Sequence, residues 1–218
     1  MKYPLLVRAA LFLLLFAVGV GIAYFMIRPS GTLPIYTPAE LNPQLVDSSL
    51  RNSTAEHHLL DFNLTDQNGQ PVTLNDSKGK VVLADFFFTT CGSICPKMSD
   101  QLERVQAAYQ DDDRVLLLSH SVTPEIDSVP ALKAYADLHG ADPSRWRLLT
   151  GDRKQIYRLA RKSWFAVRDT GSGGPDDFVH TENFILADTL GRLRGFYDGT
   201  STEDVDRAIR DIAKLLGE

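Results

Sequence analysis

A strand buried on both faces, a loop with two cysteines and a helix follow one another in the first half of the chain. The run Val81–Phe88 is apolar apart from Asp85 and rich in β-prone residues, which is typical of a strand covered on both sides. From residue 97 to 109, apolar residues recur at helical spacing with charged residues between them. Cys91 and Cys95 lie in the short connection, so the predicted fold places both thiols where a buried strand gives way to a helix.

These are the only two cysteines among 218 residues, and they stand four positions apart. Pro96 suits the first turn of the helix, because its missing N–H would have no intrahelical partner there. Cys95 then lies at the helix N-terminus, where the macrodipole and the free N–H groups favour a thiolate over a thiol. The two sulfurs could close a disulfide or share a soft metal ion. A purely structural disulfide is disfavoured, since so short a loop removes little entropy from the unfolded chain.

The segments around the cysteines predict one mixed sheet. Alternating apolar residues flank Asn68-Gly69, a dipeptide typical of a tight hairpin turn. A second buried strand is predicted over Val115–Val122, and a second hairpin around the turn Asp188–Gly191. Strands that alternate with helices, followed by a closing hairpin, indicate a sheet covered on both faces. Helices are predicted over Ser128–His139 and Asp152–Ser163 and at the C-terminus.

The beginning of the chain predicts where the thiols work. Nineteen residues from Ala9 to Ile27 carry no charge and are about long enough to cross a bilayer as a helix. Basic residues before this run favour a cytoplasmic N-terminus over residues 1–8, a transmembrane anchor over 9–28 and export of the rest. A cleaved signal peptide is the alternative, but the run ends without a small-x-small cleavage site. The expected location is a bacterial inner membrane, crossed once, with the C-terminal domain in the periplasm.

Composition divides the remainder into a linker and one domain. Residues 29–55 contain four prolines and show no sustained periodicity, so they are predicted to form an extended linker. Residues 56–218 are enough for one domain with a full core. The net charge of −5 gives no sign of a nucleic-acid surface. No nucleic-acid partner is therefore expected, and the membrane is a partner through residues 9–28.

Several motifs together resemble the Sco/SenC family of copper-binding proteins. Residues 91–96 read Cys-x-x-x-Cys-Pro rather than the Cys-x-x-Cys of thioredoxins, and Ser121-Val-Thr-Pro-Glu-x-Asp127 follows the second buried strand. Leu132-Lys-Ala-Tyr-Ala136 stands in the next helix, and Val179-His180-Thr181 precedes the last hairpin. The resemblance covers residues 57–216. It implies an α/β, thioredoxin-like (peroxiredoxin-like) mixed sheet flanked by helices, with an N-terminal transmembrane helix.

The resemblance also implies a ligand set and a function. One copper ion per domain would be held by Cys91, Cys95 and His180. Two thiolates and one imidazole suit Cu(I) and also a Cu(II)–thiolate centre, whereas structural zinc normally takes four protein ligands. Such a protein would be a copper metallochaperone that supplies the dinuclear copper centre of cytochrome c oxidase. Its partner would be the copper-centre subunit of the oxidase or another periplasmic copper protein.

Asp85 leaves a redox function open. It stands six residues before Cys91, the offset at which thioredoxins keep a buried aspartate that helps to move protons during thiol exchange. A desolvated acid there would have a raised pKa and could accept a thiol proton, unless it is bound to backbone or to Lys80. The alternative function is thus a thiol–disulfide oxidoreductase that reduces a copper site or other periplasmic proteins. In it, Cys91 attacks, Cys95 resolves the mixed disulfide and Asp85 assists.

The other histidines are weaker candidates for the site. His120 ends the second buried strand and either borders the site or fills the core. His57 and His58 stand where the predicted domain begins, as accessory metal contacts or as solvated residues. His139 lies at a helix end, where an imidazolium interacts favourably with the C-terminal dipole.

Overall fold

The computed structural model describes three parts of the chain, residues 4–27, 31–167 and 181–218. They fall into two compact units, Met1–Gly31 and Thr32–Glu218. The second unit contains both cysteines and the whole of the sheet, so the candidate site belongs to it.

The first unit is dominated by one apolar helix, α1, over Leu5–Ile27, which is 23 residues long. Nowhere in the described ranges does a helix combine the length and apolarity that crossing a bilayer demands. The transmembrane helix predicted for residues 9–28 is therefore not confirmed.

The second unit is built on a mixed sheet of seven strands in the described part of the chain. These are β1 (Asn63–Asp66), β2 (Pro71–Thr73), β3 (Val81–Phe87), β4 (Val115–Ser121), β5 (Trp146–Thr150), β6 (Asn183–Ala187) and β7 (Leu193–Asp198). Their order across the sheet is β2-β1-β5-β4-β3-β6-β7. Strands β3, β4 and β5 are parallel, and the other neighbours are antiparallel. The predicted mixed sheet is thus confirmed.

Helices cover both faces of this sheet. They are α2 (Ile94–Ala108), α3 (Val129–Leu138), α4 (Arg153–Lys162) and α5 (Thr202–Leu216). Apolar side chains of α2, α3 and α5 form one core cluster with one face of the sheet, and α4 contributes to the cluster on the opposite face. Two short 3-10 helices, Pro38–Glu40 and Leu74–Ser77, complete the described elements.

Strand β3 is central and separates the two core clusters. All seven of its residues are buried, as the apolar run predicts. Successive side chains of a strand point to opposite faces. Leu83 and Phe87 accordingly join the cluster that includes α2, whereas Ala84 and Phe86 join the other. Asp85 is two positions from both Leu83 and Phe87, so its side chain shares their face, which is the face that packs against the cysteine helix.

Both predicted hairpins are present. Strands β1 and β2 pair across Asn68-Gly69, and β6 and β7 pair across the turn that ends at Gly191. Gly69 and Gly191 both have φ of 76°, in the left-handed region that favours glycine. The turn residues in the sequence therefore predicted both hairpins correctly.

The segment before the sheet differs from the extended linker predicted for residues 29–55. From Thr32 onward it belongs to the compact second unit, and Val46 is fully buried in the core cluster. Its start is held by Arg194, a buried side chain of β7 that donates to the carbonyl oxygens of Leu33 and Pro34 at 2.9 and 3.0 Å. The same guanidinium pairs with Asp188 and Glu218. Apolar side chains among the prolines explain this packing, because they gain free energy by leaving water.

Candidate dithiol metal centre

Cys91 and Cys95 lie where strand β3 ends and helix α2 begins. The strand ends at Phe87 and the helix starts at Ile94, so Cys91 lies in the connection and Cys95 is the second helical residue. The Cys91 N–H donates to the Phe88 carbonyl oxygen at 3.2 Å, which turns the chain toward the helix. Both thiols are free, and the two residues are only 7% and 3% exposed. The arrangement of strand, cysteine loop and helix is as predicted.

The two thiols differ strongly in acidity. Burial raises the pKa of Cys91, but hydrogen bonds from the Ser93 and Cys95 backbone, the Cys95 thiol and the Ser93 hydroxyl outweigh it and lower the pKa to about 7. The Ser93 Oγ lies 3.7 Å from the Cys91 sulfur. Burial raises the pKa of Cys95 to about 12, and the charges of Cys91 and Asp85 add to the rise. Near neutral pH, Cys91 is therefore half thiolate and Cys95 is a thiol.

This distribution corrects the expectation that the helix N-terminus would favour a thiolate at Cys95. The sulfur of Cys95 is too deeply buried for the helix dipole to offset desolvation. The N–H groups of the helix start serve the sulfur of Cys91 instead. The roles predicted for the redox alternative are nevertheless compatible with it, because the more acidic Cys91 is the better attacking group near neutral pH.

Asp85 has the raised pKa expected of a desolvated acid. It is 2% exposed, and burial raises its pKa to about 7 against a hydrogen bond from Ser119 that lowers it. Ser119 in turn accepts the Trp146 indole N–H at 2.9 Å. The Asp85 Oδ1 atom has no hydrogen-bond partner among the described residues. The carboxyl group thus has Ser119, rather than the alternative Lys80, as its side-chain partner, and its charge reaches Cys95.

Asp127 fastens the loop before Cys91 to the chain beyond strand β4. Its fully buried carboxylate accepts hydrogen bonds from the Thr89 N–H at 3.2 Å and the Thr89 hydroxyl at 2.5 Å. It also accepts from the hydroxyls of Ser121 at 2.6 Å and Thr123 at 3.0 Å. Sequence reasoning gave Asp127 no role. The sequence did contain a hint of this role, because Ser121 and Thr123 stand only six and four positions before Asp127 and carry hydroxyl donors.

We expect Asp127→Ala to lower the free energy of unfolding of the reduced protein by about 3 kcal/mol, because several buried donors lose a charged acceptor. Urea denaturation, followed by tryptophan fluorescence, measures the change. The matched control is Asp137→Ala, which removes an aspartate from an exposed ion pair with Lys133 and should cost less than about 0.5 kcal/mol. Equal losses in the two variants would show that Asp127 does not hold the loop.

His180, the third ligand that the resemblance implies, lies outside the described residues. The described residues therefore bring together two of the three predicted ligands, Cys91 and Cys95.

His120 does not border the dithiol. It is fully buried on the opposite face of the sheet, where its ring stacks on Phe86 at a centroid distance of 4.8 Å. Burial lowers the pKa of His120 to about 4, so the ring is neutral at physiological pH. Its role is that of a core histidine.

His57 and His58 are also removed from the thiols. The His57 Nε2 atom lies 2.8 Å from the Ser163 carbonyl oxygen, and the His58 Nδ1 atom lies 3.1 Å from that of Leu190. Leu190 lies in the β6–β7 turn, near the end of β3 at which Val82 pairs with β6, whereas Cys91 follows the other end. These contacts give the two imidazoles structural positions away from the dithiol.

The dithiol fits a soft metal ion. It offers two sulfur donors joined by a hydrogen bond, and one of them is largely ionised just above neutral pH. Thiolates select soft ions such as Cu(I), and binding displaces the proton of the less acidic thiol. The same proximity permits a disulfide. The pair is therefore suited to metal binding and to thiol exchange.

Comparisons with known proteins point in one direction. A family model described as SCO1/SenC matches residues 51–217. The SCO1 protein homolog of Bacillus subtilis is 33% identical over 153 residues, which covers 69% of this chain and 79% of that protein. A structure of BsSco, described as a member of the Sco family of cytochrome c oxidase assembly proteins with a disulfide switch, is 30% identical, with a TM-score of 0.63 and coverage of 75% and 95%. The copper-bound structure of Bradyrhizobium japonicum ScoI is 27% identical, with a TM-score of 0.55 and coverage of 72% and 99%.

Proposed function

Because the chain belongs to the SCO1/SenC family, we propose that it is a copper metallochaperone that delivers copper to the dinuclear centre of a cytochrome c oxidase during assembly. The observation that carries the proposal is the pair of free, buried cysteines of unequal acidity at the start of α2. Relatives support it, since one Sco structure contains copper and another is described as an oxidase assembly protein. The proposed cargo is one copper ion per domain.

The chain's own residues would divide the work of holding the ion. Cys91 supplies the thiolate that meets the cargo first, because it is the more acidic thiol. Cys95 gives up its proton on binding, since a thiol coordinates as the thiolate. His180 is proposed as the third ligand on the strength of the family resemblance. Three ligands are fewer than the four of a structural zinc site, which favours transfer to an acceptor that offers more donors.

The proposal predicts that His180→Ala weakens Cu(I) binding to the reduced chain by more than tenfold, because one of three ligands is lost. Competition with a chromophoric Cu(I) chelator measures the affinity. His58→Ala is the control, since His58 is an exposed imidazole whose contacts lie away from the dithiol. The reduction potential of the Cys91–Cys95 disulfide should stay within a few millivolts of the unaltered value. Unchanged Cu(I) affinity would refute the three-ligand site.

A thiol–disulfide oxidoreductase is the second candidate. The observation that favours it is the pattern of acidities: Cys91 at a pKa of about 7 suits attack, and Asp85 at about 7 suits proton transfer with Cys95. Attack by Cys91 on a substrate disulfide forms a mixed disulfide and releases one substrate thiolate. Cys95, once deprotonated, then closes the Cys91–Cys95 disulfide and releases the other. Negligible Cu(I) affinity together with rapid exchange in glutathione buffers would favour this function over the first.

The site of action is a separate proposal that rests on sequence. We propose that the apolar segment 9–28 directs the domain to the periplasmic side of a bacterial inner membrane, with residues 1–8 in the cytoplasm. The support is the uncharged run and the basic residues before it. Protease treatment of spheroplasts provides the test, because a periplasmic domain is digested before the cells are lysed. A domain digested only after lysis would contradict the proposal.

A further inference from the structure

Helix α2 carries a second group of metal-binding side chains beyond the dithiol. Asp100 and Glu103 lie one turn apart on α2, and His139 ends α3 beside them. One ligand atom from each residue lies within 4.8 Å of the other two. Asp100 follows Cys95 by five positions, so it lies roughly 7–8 Å further along the helix axis. The group is thus separate from the proposed copper cargo site.

The imidazole of this group is held in place. Its side chain is only 9% exposed, and the ring packs against Tyr135 at a centroid distance of 4.7 Å. Gln106 of α2 ties down the turn that follows His139: its amide group donates to the Gly140 carbonyl oxygen at 3.0 Å and accepts the Asp142 N–H at 2.8 Å. The nitrogen donor is therefore presented to α2 in a fixed position.

The two carboxylates, by contrast, face water. The side chains of Asp100 and Glu103 are 70% and 43% exposed. They can adjust to an arriving ion, and solvent can supply its remaining ligands. A fixed imidazole with two adjustable carboxylates and open positions resembles metal sites with three protein ligands more than a closed structural site.

The donor types favour Cu(II). The His139 Nδ1 atom lies 2.8 Å from a Glu103 oxygen and 3.9 Å from an Asp100 oxygen. The shorter distance is that of a hydrogen bond in the metal-free protein, and the two exposed carboxylates can close around an ion that the imidazole binds. Tetragonal nitrogen and oxygen coordination is typical of Cu(II) and Ni(II), and Cu(II) binds more tightly.

We propose that Asp100, Glu103 and His139 form a second metal site that binds Cu(II) through one imidazole nitrogen and two carboxylate oxygens. Without metal, Glu103 and His139 form a hydrogen-bonded pair. On binding, the ion takes the place of the hydrogen between the two side chains, and the neutral imidazole carries its proton on Nε2 instead. The site differs from the dithiol in donor chemistry, because oxygen and nitrogen donors suit Cu(II) and paired thiolates suit Cu(I). The proposal goes beyond the chaperone function and does not depend on it.

The test uses the full chain with Cys91→Ser, Cys95→Ser and His180→Ala, so that the proposed cargo site is removed. Cu(II) is titrated in a competing glycine buffer by calorimetry, and the bound ion is examined by electron paramagnetic resonance. We expect one equivalent with a tetragonal spectrum split by one nitrogen. Glu103→Gln and Asp100→Asn should each weaken binding at least tenfold, and His139→Ala should also remove the nitrogen splitting.

The matched control for this site is His58→Ala. His58 also pairs with a carboxylate, that of Glu56 at 3.1 Å, and its loss should leave Cu(II) binding unchanged. If His139→Ala does not fold, the variants at the two exposed carboxylates decide the question alone. Binding as tight in Glu103→Gln as in the parent chain, or a nitrogen splitting that survives in folded His139→Ala, would overturn the site. Neither result bears on the His180 experiment, which follows Cu(I) at the dithiol.

Discussion

Replacing Cys91 by serine is expected to slow alkylation of the reduced, metal-free protein at pH 7 by about 100-fold. At this pH about half of Cys91 is thiolate, whereas a pKa near 12 leaves only about one Cys95 in 10⁵ ionised. A thiolate of higher pKa is intrinsically more nucleophilic, which reduces the expected rate difference between the two thiols by roughly two of the five orders of magnitude. Loss of the Cys91 charge also lowers the pKa of Cys95, which reduces the rate difference by part of a further order of magnitude. The remaining difference is the expected effect, measured with iodoacetamide and mass spectrometry.

Two further variants make the assignment specific to Cys91. Cys95→Ala should keep rapid alkylation but shift its pH midpoint upward from about 7, because no side-chain donor at position 95 then stabilises the Cys91 thiolate. Ser93→Ala should shift the midpoint in the same direction, by loss of the Ser93 hydroxyl. Rapid alkylation at pH 7 in Cys91→Ser would contradict the proposed order of acidity.

The second large effect concerns Asp85 and the pH dependence of stability. Its pKa is about 7 in the folded protein against 3.8 for the ordinary side chain, so between these values the native state holds a proton that the unfolded chain has lost. The free energy of unfolding therefore falls as pH rises through this window, by about 1.4 kcal/mol per unit. Asp85→Asn cannot ionise. Relative to the unaltered protein, it should thus gain about 4 kcal/mol of stability between pH 4 and pH 8.

Urea denaturation at several pH values measures this gain, with Cys91→Ser and Cys95→Ser in both proteins so that no thiol titrates. Asp188→Asn is the control of opposite sign. Burial raises the pKa of Asp188, but hydrogen bonds from Arg192, Arg194 and the backbone outweigh it and hold the pKa below 3.8. That carboxylate contributes stability that is lost as pH falls. The loss of unfolding free energy caused by Asp188→Asn should therefore be smaller at low pH than at neutral pH. A pH-independent difference for Asp85→Asn would mean that Asp85 does not titrate near neutrality.

Local patterns predicted the elements that carry the dithiol. The apolar run of β3, the helical spacing after Pro96 and the Asn68-Gly69 turn each determine backbone structure through neighbouring residues alone. Resemblance to a family then supplied the fold and the ligand set, and the fold is confirmed by the sheet order and by solved relatives. His180 as a ligand stays a prediction.

What the sequence did not predict depends on tertiary contacts. The helix N-terminus favours a thiolate at Cys95 in isolation, but burial by the rest of the domain reverses the order of the two thiols. Asp127 reaches Thr89 across 38 positions of sequence, and no local pattern encodes that contact. The burial of Val46 was not predicted for the same reason. The prolines around it indicate a linker, and only the tertiary structure shows that the apolar residues between them pack against the core.

Arg194 bonds to both ends of the second unit, and these contacts indicate where that unit begins. One buried guanidinium binds the backbone of Leu33 and Pro34 and the side chain of Glu218, so both ends of the second unit are bonded to strand β7. A fragment beginning at residue 51, where the family match starts, or at 56 would lack the two carbonyl oxygens that this cation binds. A fragment that keeps all the acceptors of this cation therefore begins no later than residue 32.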